Sequence, residues 1–241
     1  IKHQIKFNYM NSTFYIGNPR WDKAYSLDDG SKDVYGRVGR IHVCVRDNKT
    51  HTKENYYIQH EDIIEFQGHS SGAEDCRALL TDNGPMILFN ALTHLGHRKM
   101  FIHDITRKKT RMLWGAQSQM NKVEKNWVPY FDGADMIFVY SHVPTQIMRL
   151  KSFNTGECEL LYRKNNRKLS KPISVYGGSN IIPWSPTMNL TFAHTRAPWH
   201  AIPLLLDDRC QTAQIGKKLN FQLADQLDLK SPRKEVEYPY F

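Results

Sequence analysis

Glu74-Asp75-Cys76-Arg77-Ala78-Leu79-Leu80-Thr81-Asp82-Asn83-Gly84-Pro85-Met86-Ile87-Leu88-Phe89-Asn90 is the stretch on which the fold turns. Two apolar runs flank Asp82-Asn83-Gly84, and an Asn-Gly step between such runs signals a hairpin because both residues tolerate positive φ. The next segments extend the rhythm: a loop centred on Gly96, a strand over Lys99–Asp104 and another over Arg111–Trp114. Four short strands in succession make one antiparallel sheet.

The same scheme returns twice downstream. Lys125-Asn126-Trp127-Val128-Pro129-Tyr130 opens a second unit, with strands at Trp127–Phe131, Met136–Ser141 and Gln146–Leu150. Gly177-Gly178-Ser179-Asn180 opens a third, with strands at Asn180–Trp184, Asn189–His194 and Trp199–Leu206. The three openings begin at residues 74, 125 and 177, a spacing of about 50 residues, which is the period of a propeller blade. The reading is therefore an all-β chain, a single domain over residues 1–241 folded as a β-propeller of four to five blades, complete or partial. A β-sandwich with irregular loops is the alternative that the same strand lengths fit.

Upstream, Arg40–Val45, Tyr56–Ile58 and Ile63–Phe66 read as strands, whereas residues 1–36, rich in Asn, Asp, Gly and Lys, read as irregular. At the other end, residues 213–229 predict a short helical tail, since Leu219, Leu223 and Leu227 recur every four positions.

The 241 residues carry a formal charge of +9, with a sequence pI near 9.3, a balance that favours anionic partners. Arg107–Arg111 and Arg163–Lys171 are the densest basic runs, but no nucleic-acid-binding motif accompanies them, so nucleic acid is not expected as a partner. Cys44, Cys76, Cys158 and Cys210 show no metal-ligand spacing, and His60, His69, His94, His97, His103 and His142 form no paired-ligand motif, so no metal is assigned. Four cysteines permit three disulfide connectivities. Sequons at Asn11, Asn48 and Asn189 lean toward a secretory setting, with Asn189 expected in a buried strand and unglycosylated. No apolar run approaches the ~20 residues of a membrane span. GxSxG, P-loop and GxGxxG patterns are also missing, which removes the serine-hydrolase, nucleotide-triphosphatase and dinucleotide-dehydrogenase readings.

Chemistry then rests on the three openings. Strict strand alternation predicts that Asp75 and Arg77 share one face while Glu74 points away. A carboxylate so placed can bind sugar hydroxyls or move a proton; an ion pair closing a turn is the plainer reading. Lys125, Asn126 and Trp127 join a cation, an amide and an indole able to stack on a pyranose, although a Trp that opens a strand is commonly core. His194 and Arg196 end the third unit's strand near Gly177 and Gly178, glycines that permit close backbone approach, and together they offer donors to a phosphate.

Taken together and in order, the three strings resemble those of the five-bladed β-mannoside phosphorylases of glycoside hydrolase family 130 and of the fungal β-1,2-mannosyltransferases. The resemblance covers about residues 72–206, with Cys76 standing where the family carries Pro. It implies inverting chemistry on mannose. Asp75 would be the catalytic acid or base and Arg77 would bind the same sugar, while Lys125, Asn126, Trp127, Gly178, His194 and Arg196 would line the substrate site. The implied partners are a glycan acceptor and a nucleotide sugar or sugar phosphate, with no cofactor. A membrane association would come only from an anchor outside these residues, and the expected location is the secretory pathway or Golgi, with the cytoplasm as the alternative. The competing functions are a β-mannoside phosphorylase or hydrolase and a non-catalytic lectin or scaffold.

Overall fold

The computed structural model describes residues 5–17, 24–25, 34–35, 41–63, 73–115, 121–132, 135–164, 175–195, 200–217 and 219. Among them every regular element is a strand. In chain order these are β1 (Ile5–Tyr9), β2 (Ser12–Gly17), β3 (Ala24–Tyr25), β4 (Val34–Tyr35), β5 (His42–Asp47) and β6 (Lys53–Tyr57). They are followed by β7 (Ala73–Thr81), β8 (Gly84–Leu92), β9 (Arg98–Asp104), β10 (Lys109–Met112), β11 (Val128–Asp132), β12 (Asp135–His142), β13 (Thr145–Ser152) and β14 (Glu157–Lys164). Last come β15 (Tyr176–Gly177), β16 (Ile182–Ser185), β17 (Met188–His194), β18 (Ala201–Asp207) and β19 (Thr212–Ile215).

Near neighbours in sequence pair in space. The sheets run β1-β2-β5-β6, β10-β9-β8-β7, β11-β12-β13-β14 and β15-β17-β18-β19, with β16 also on β17 and β3-β4 as a separate ribbon. The sequence-derived sheet starts hold, since Glu74, Lys125 and Gly177 lie in or just before β7, β11 and β15, the first strand of the last three sheets.

Contacts divide the chain into two compact units, Ile1–Lys125 with Leu150–Glu159, and Asn126–Arg149 with Leu160–Phe241. Each has an apolar core drawn from alternate strand positions. In the first, Phe14, Ile16, Ile41, Val43, Ile87, Phe89, Ala91 and Phe101 are buried together. In the second, Val128, Ile137, Val139, Ile147, Ile202, Leu204 and Leu206 are. Strands β17 and β18 both show the strict one-in, one-out burial of a half-buried sheet.

Three expectations change. Residues 5–17 were predicted irregular but form a hairpin, β1 on β2, in which Phe7 stacks on Phe14 at 5.0 Å. Asn8 and Asn11 take outward and turn positions, and with the buried Thr13, which bonds Asn8 and Asn48, they mask a period of two in Ile5, Phe7 and Tyr9. The tail predicted as helix over 213–229 begins instead as β19, whose residues pair with Leu204–Leu206, because a sheet edge offers hydrogen bonds that an isolated four-residue apolar repeat does not. Residues 218 and 220–229 lie outside the described residues. At the β7–β8 turn only Gly84 takes a positive φ, 114°, while Thr81 Oγ1 accepts from the Asn83 amide and donates to the Gly84 carbonyl.

Candidate functional site

The first opening is not a regular strand. Glu74 pairs with Asn90 and Arg77 with Leu88, so Asp75 and Cys76 together oppose the single residue Phe89, and Asp75 adopts a φ of 56°. This is a β-bulge. The extra residue corrects one half of the alternation expected from sequence: Glu74 emerges on the same face as Arg77, beside Asn90 and Leu88, where Asp75 also meets Asn90, and Cys76 turns with Ala78 onto the first unit's apolar core. Aspartate is among the side chains that tolerate the left-handed region best, which suits it to the bulge position.

On the face away from that core a polar cluster forms. Asn90 Nδ2 donates to Asp75 Oδ2 at 3.2 Å, and Arg98 donates to Asn90 Oδ1 at 2.6 Å. Arg98 also pairs with Glu74 Oε1 at 2.9 Å. Asn90 is 1% exposed, whereas the Glu74 side chain is 39% exposed, so the cluster grades from core to surface. Burial lowers the Arg77 pKa to about 10, against the opposing pull of Asp75, and the guanidinium stays charged at neutral pH. Burial likewise pushes the Cys76 thiol up to about 12, with the Asp75 charge adding to the effect, so a neutral thiol flanks the acid.

The approach to the second opening runs beside this cluster. The Arg98 amide donates to the Lys122 carbonyl and the Glu124 amide to the Arg98 carbonyl, both within the first unit. These bonds set the chain two residues from half-buried Lys125 against the strand that carries Arg98.

In the second unit, Asn126 has a φ of 64°. Trp127 is 1% exposed, packed at 5.6 Å from the Phe138 ring and 5.3 Å from the Tyr140 ring. The indole thus fills the core, and the sugar-stacking surface suggested for it by sequence is covered by its own sheet. A Cβ on Gly177 would collide with the Asn126 carbonyl oxygen and the Val128 side chain, and one on Gly178 with the Phe192 carbonyl. The Gly178 and Ser179 amides both donate to that Phe192 oxygen, at 3.0 and 2.8 Å. Gly177 therefore lets the third opening lie directly on the second, while Gly178 lets it close against Phe192 of its own sheet. His194 pairs with Tyr176 across β15 and β17, their rings stacked at 5.7 Å. Arg196 lies outside the described residues.

Sequence reasoning missed Asn90, Arg98 and Tyr176. Asn90 carried a signal, a lone amide inside the apolar run Met86–Leu92, where a polar side chain needs a partner.

Among the described residues, then, the chain is all-β, built of four- and five-stranded antiparallel sheets and one two-stranded ribbon, with a carboxylate, amide and guanidinium cluster on a strand bulge. No family model matches the chain. Over 100 residues it is 33% identical to β-mannosyltransferase 2 of Komagataella phaffii, a match covering 38% of this chain and 16% of that protein. β-Mannosyltransferase 3 of the same yeast is 34% identical over 100 residues, covering 38% and 17% respectively. β-Mannosyltransferase 3 of Candida albicans is 30% identical over 128 residues, covering 46% and 23%. The similarity is distant and partial, and the match spans about a sixth to a quarter of the length of these relatives.

Proposed function

We propose that the protein is a glycosyltransferase that moves mannose from an anionic donor to a glycan acceptor with inversion to a β-linkage. The observation that carries this reading is the bulge cluster: a half-buried aspartate in the first opening string, hydrogen-bonded to a buried amide that is itself bonded to an arginine. The partial similarity to fungal β-mannosyltransferases supports the same direction. The successive four-stranded sheets, with a signature at the first strand of three of them, support a propeller of the family 130 type.

In this reading Asp75 takes the proton of the attacking acceptor hydroxyl, directly or through a neighbouring sugar hydroxyl, as the new glycosidic C–O bond forms on the face opposite the departing oxygen. Arg77 holds the same sugar. The leaving phosphate or diphosphate departs with the electron pair of the broken C–O bond, and that negative charge is assigned to Lys125, Asn126, His194 and Arg196, with no metal invoked. Trp127 is assigned to the core, not to the substrate.

Asp75→Asn is a clean test because asparagine keeps the shape and the tolerance of positive φ while losing the basic oxygen. With a mannose nucleotide and an oligomannoside acceptor, the variant is expected to lose at least about 100-fold in transfer rate while melting within a few degrees of the wild type. Transfer at the wild-type rate would overturn the assignment. Incubation with a mannoside and inorganic phosphate separates the competing chemistry: mannose phosphate released there, with no transfer from the nucleotide, makes the protein a phosphorylase. Glycan binding unaffected by Asp75→Asn, with neither reaction detected in the wild type, makes it a lectin or scaffold.

A further inference from the structure

We infer that Asn90 is a positioning residue for Asp75, an assignment that rests on the proton-transfer role proposed above. Asn90 sits in the middle strand pair of its sheet, 1% exposed, with each end of its carboxamide committed. Arginine has donors only, so the atom facing Arg98 at 2.6 Å is the amide oxygen, and the nitrogen faces Asp75 Oδ2 at 3.2 Å. Rotating the amide by half a turn would set its N–H groups against a guanidinium and its oxygen against a carboxylate. Two bonds would become two repulsions, in a site shielded from water. The amide is thereby locked in one orientation, and it offers Asp75 a fixed donor.

Arg98 in turn is anchored at both ends. Its backbone bonds to Lys122 and Glu124, and its guanidinium is paired with Glu74. Its charge is matched within the cluster, which fits a residue that holds Asn90 and not one that receives a donor phosphate. A bulge residue at a φ of 56° has no regular ladder to aim its side chain, so the bond from Asn90 supplies the direction. With Oδ2 held, Oδ1 is the oxygen assigned to the acceptor proton.

Asn90→Asp separates positioning from simple structural support. The aspartate keeps an oxygen for Arg98, now with opposite charge, but replaces the donor facing Asp75 with a second carboxylate oxygen. Using GDP-mannose and an oligomannoside, kcat is expected to fall about 100-fold with KM within about threefold and the melting temperature near that of the wild type. Wild-type kcat in Asn90→Asp, alongside an inactive Asp75→Asn, overturns the inference and leaves the functional reading standing. Wild-type transfer in Asp75→Asn instead removes the functional reading, and this inference with it. A second measurement needs no turnover. The Asn90 side-chain amide protons should be protected from solvent exchange in the wild-type NMR spectrum and lose that protection in Asp75→Gly, whose backbone accepts the same φ. Unchanged protection in Asp75→Gly refutes the inference even if Asn90→Asp fails to fold.

Discussion

Trp127 shows what a single side chain does once its surroundings are known. Its ring lies between Phe138 and Tyr140 with almost no surface left, so its contribution is dispersion and burial within the second unit. Trp127→Ala is expected to cost about 3–5 kcal/mol, because a void of that size is not refilled by neighbours. Denaturant unfolding measures this directly. A variant that melts like the wild type but binds sugar poorly would return the indole to the binding surface. Asp75 presents the opposite case: it is half-buried, in a backbone conformation that aspartate tolerates, and its worth is tested by turnover and not by stability.

At the scale of elements, a histidine ties two sheets of the first unit. His103 on β9 is 2% exposed; its Nε2 lies 3.1 Å from the Tyr56 hydroxyl on β6 and its Nδ1 3.0 Å from Thr110 Oγ1 on β10. Thr110 Oγ1 also donates to the Gln59 carbonyl. Burial lowers the His103 pKa to about 4, although neighbouring Asp104 opposes the shift. Asp104 is itself paired with Arg107 at 2.6 Å. Between pH 6.5 and about 4 the unfolded chain therefore binds a proton that the native state does not, and native stability falls as pH drops through that window. The loss is on the order of 3 kcal/mol by linkage. His60, which packs edge-on against Phe101, is also lowered by burial and acts in the same sense. Urea midpoints of the wild type should decline from pH 6.5 to 4, and His103→Gln should flatten that slope. Equal slopes in both proteins would mean that other groups carry the acid sensitivity.

For the whole molecule, cysteine state is the most direct check. Among the described residues no disulfide forms, and Cys44, Cys158 and Cys210 are buried. Burial raises Cys158 to about 12, as it does Cys76, which leaves little of the reactive thiolate at neutral pH. Alkylation in denaturant without reductant is expected to add four adducts by mass, and the native protein should label slowly. Two adducts or none would reveal disulfides and a different arrangement of these strands. Of the three sequons, Asn189 is 7% exposed within β17, as its sequence context predicted, while Asn11 and Asn48 are exposed, their backbones joined at 2.8 Å.

Local sequence determined most strands from Glu74 onward, though not β14, and the positions where sheets begin, because alternating apolar residues and Gly- or Asn-marked turns act over a few residues and state their period openly. The first hairpin escaped that reading, since its polar outward positions resemble a loop, and so did β19, whose pairing depends on a sheet edge far from any helical alternative. Within the candidate site, Asp75 and Arg77 were legible as residue types, but the facing of Glu74 beside them was not. One extra residue between Glu74 and Arg77 shifts every side chain by half a period, and a bulge shows only when the partner strand fixes the register. Asn90 and Arg98 were hidden for the same reason: their partners lie 8 to 15 residues away or more along the chain, and only folding brings the amide, the guanidinium and the two carboxylates onto one face.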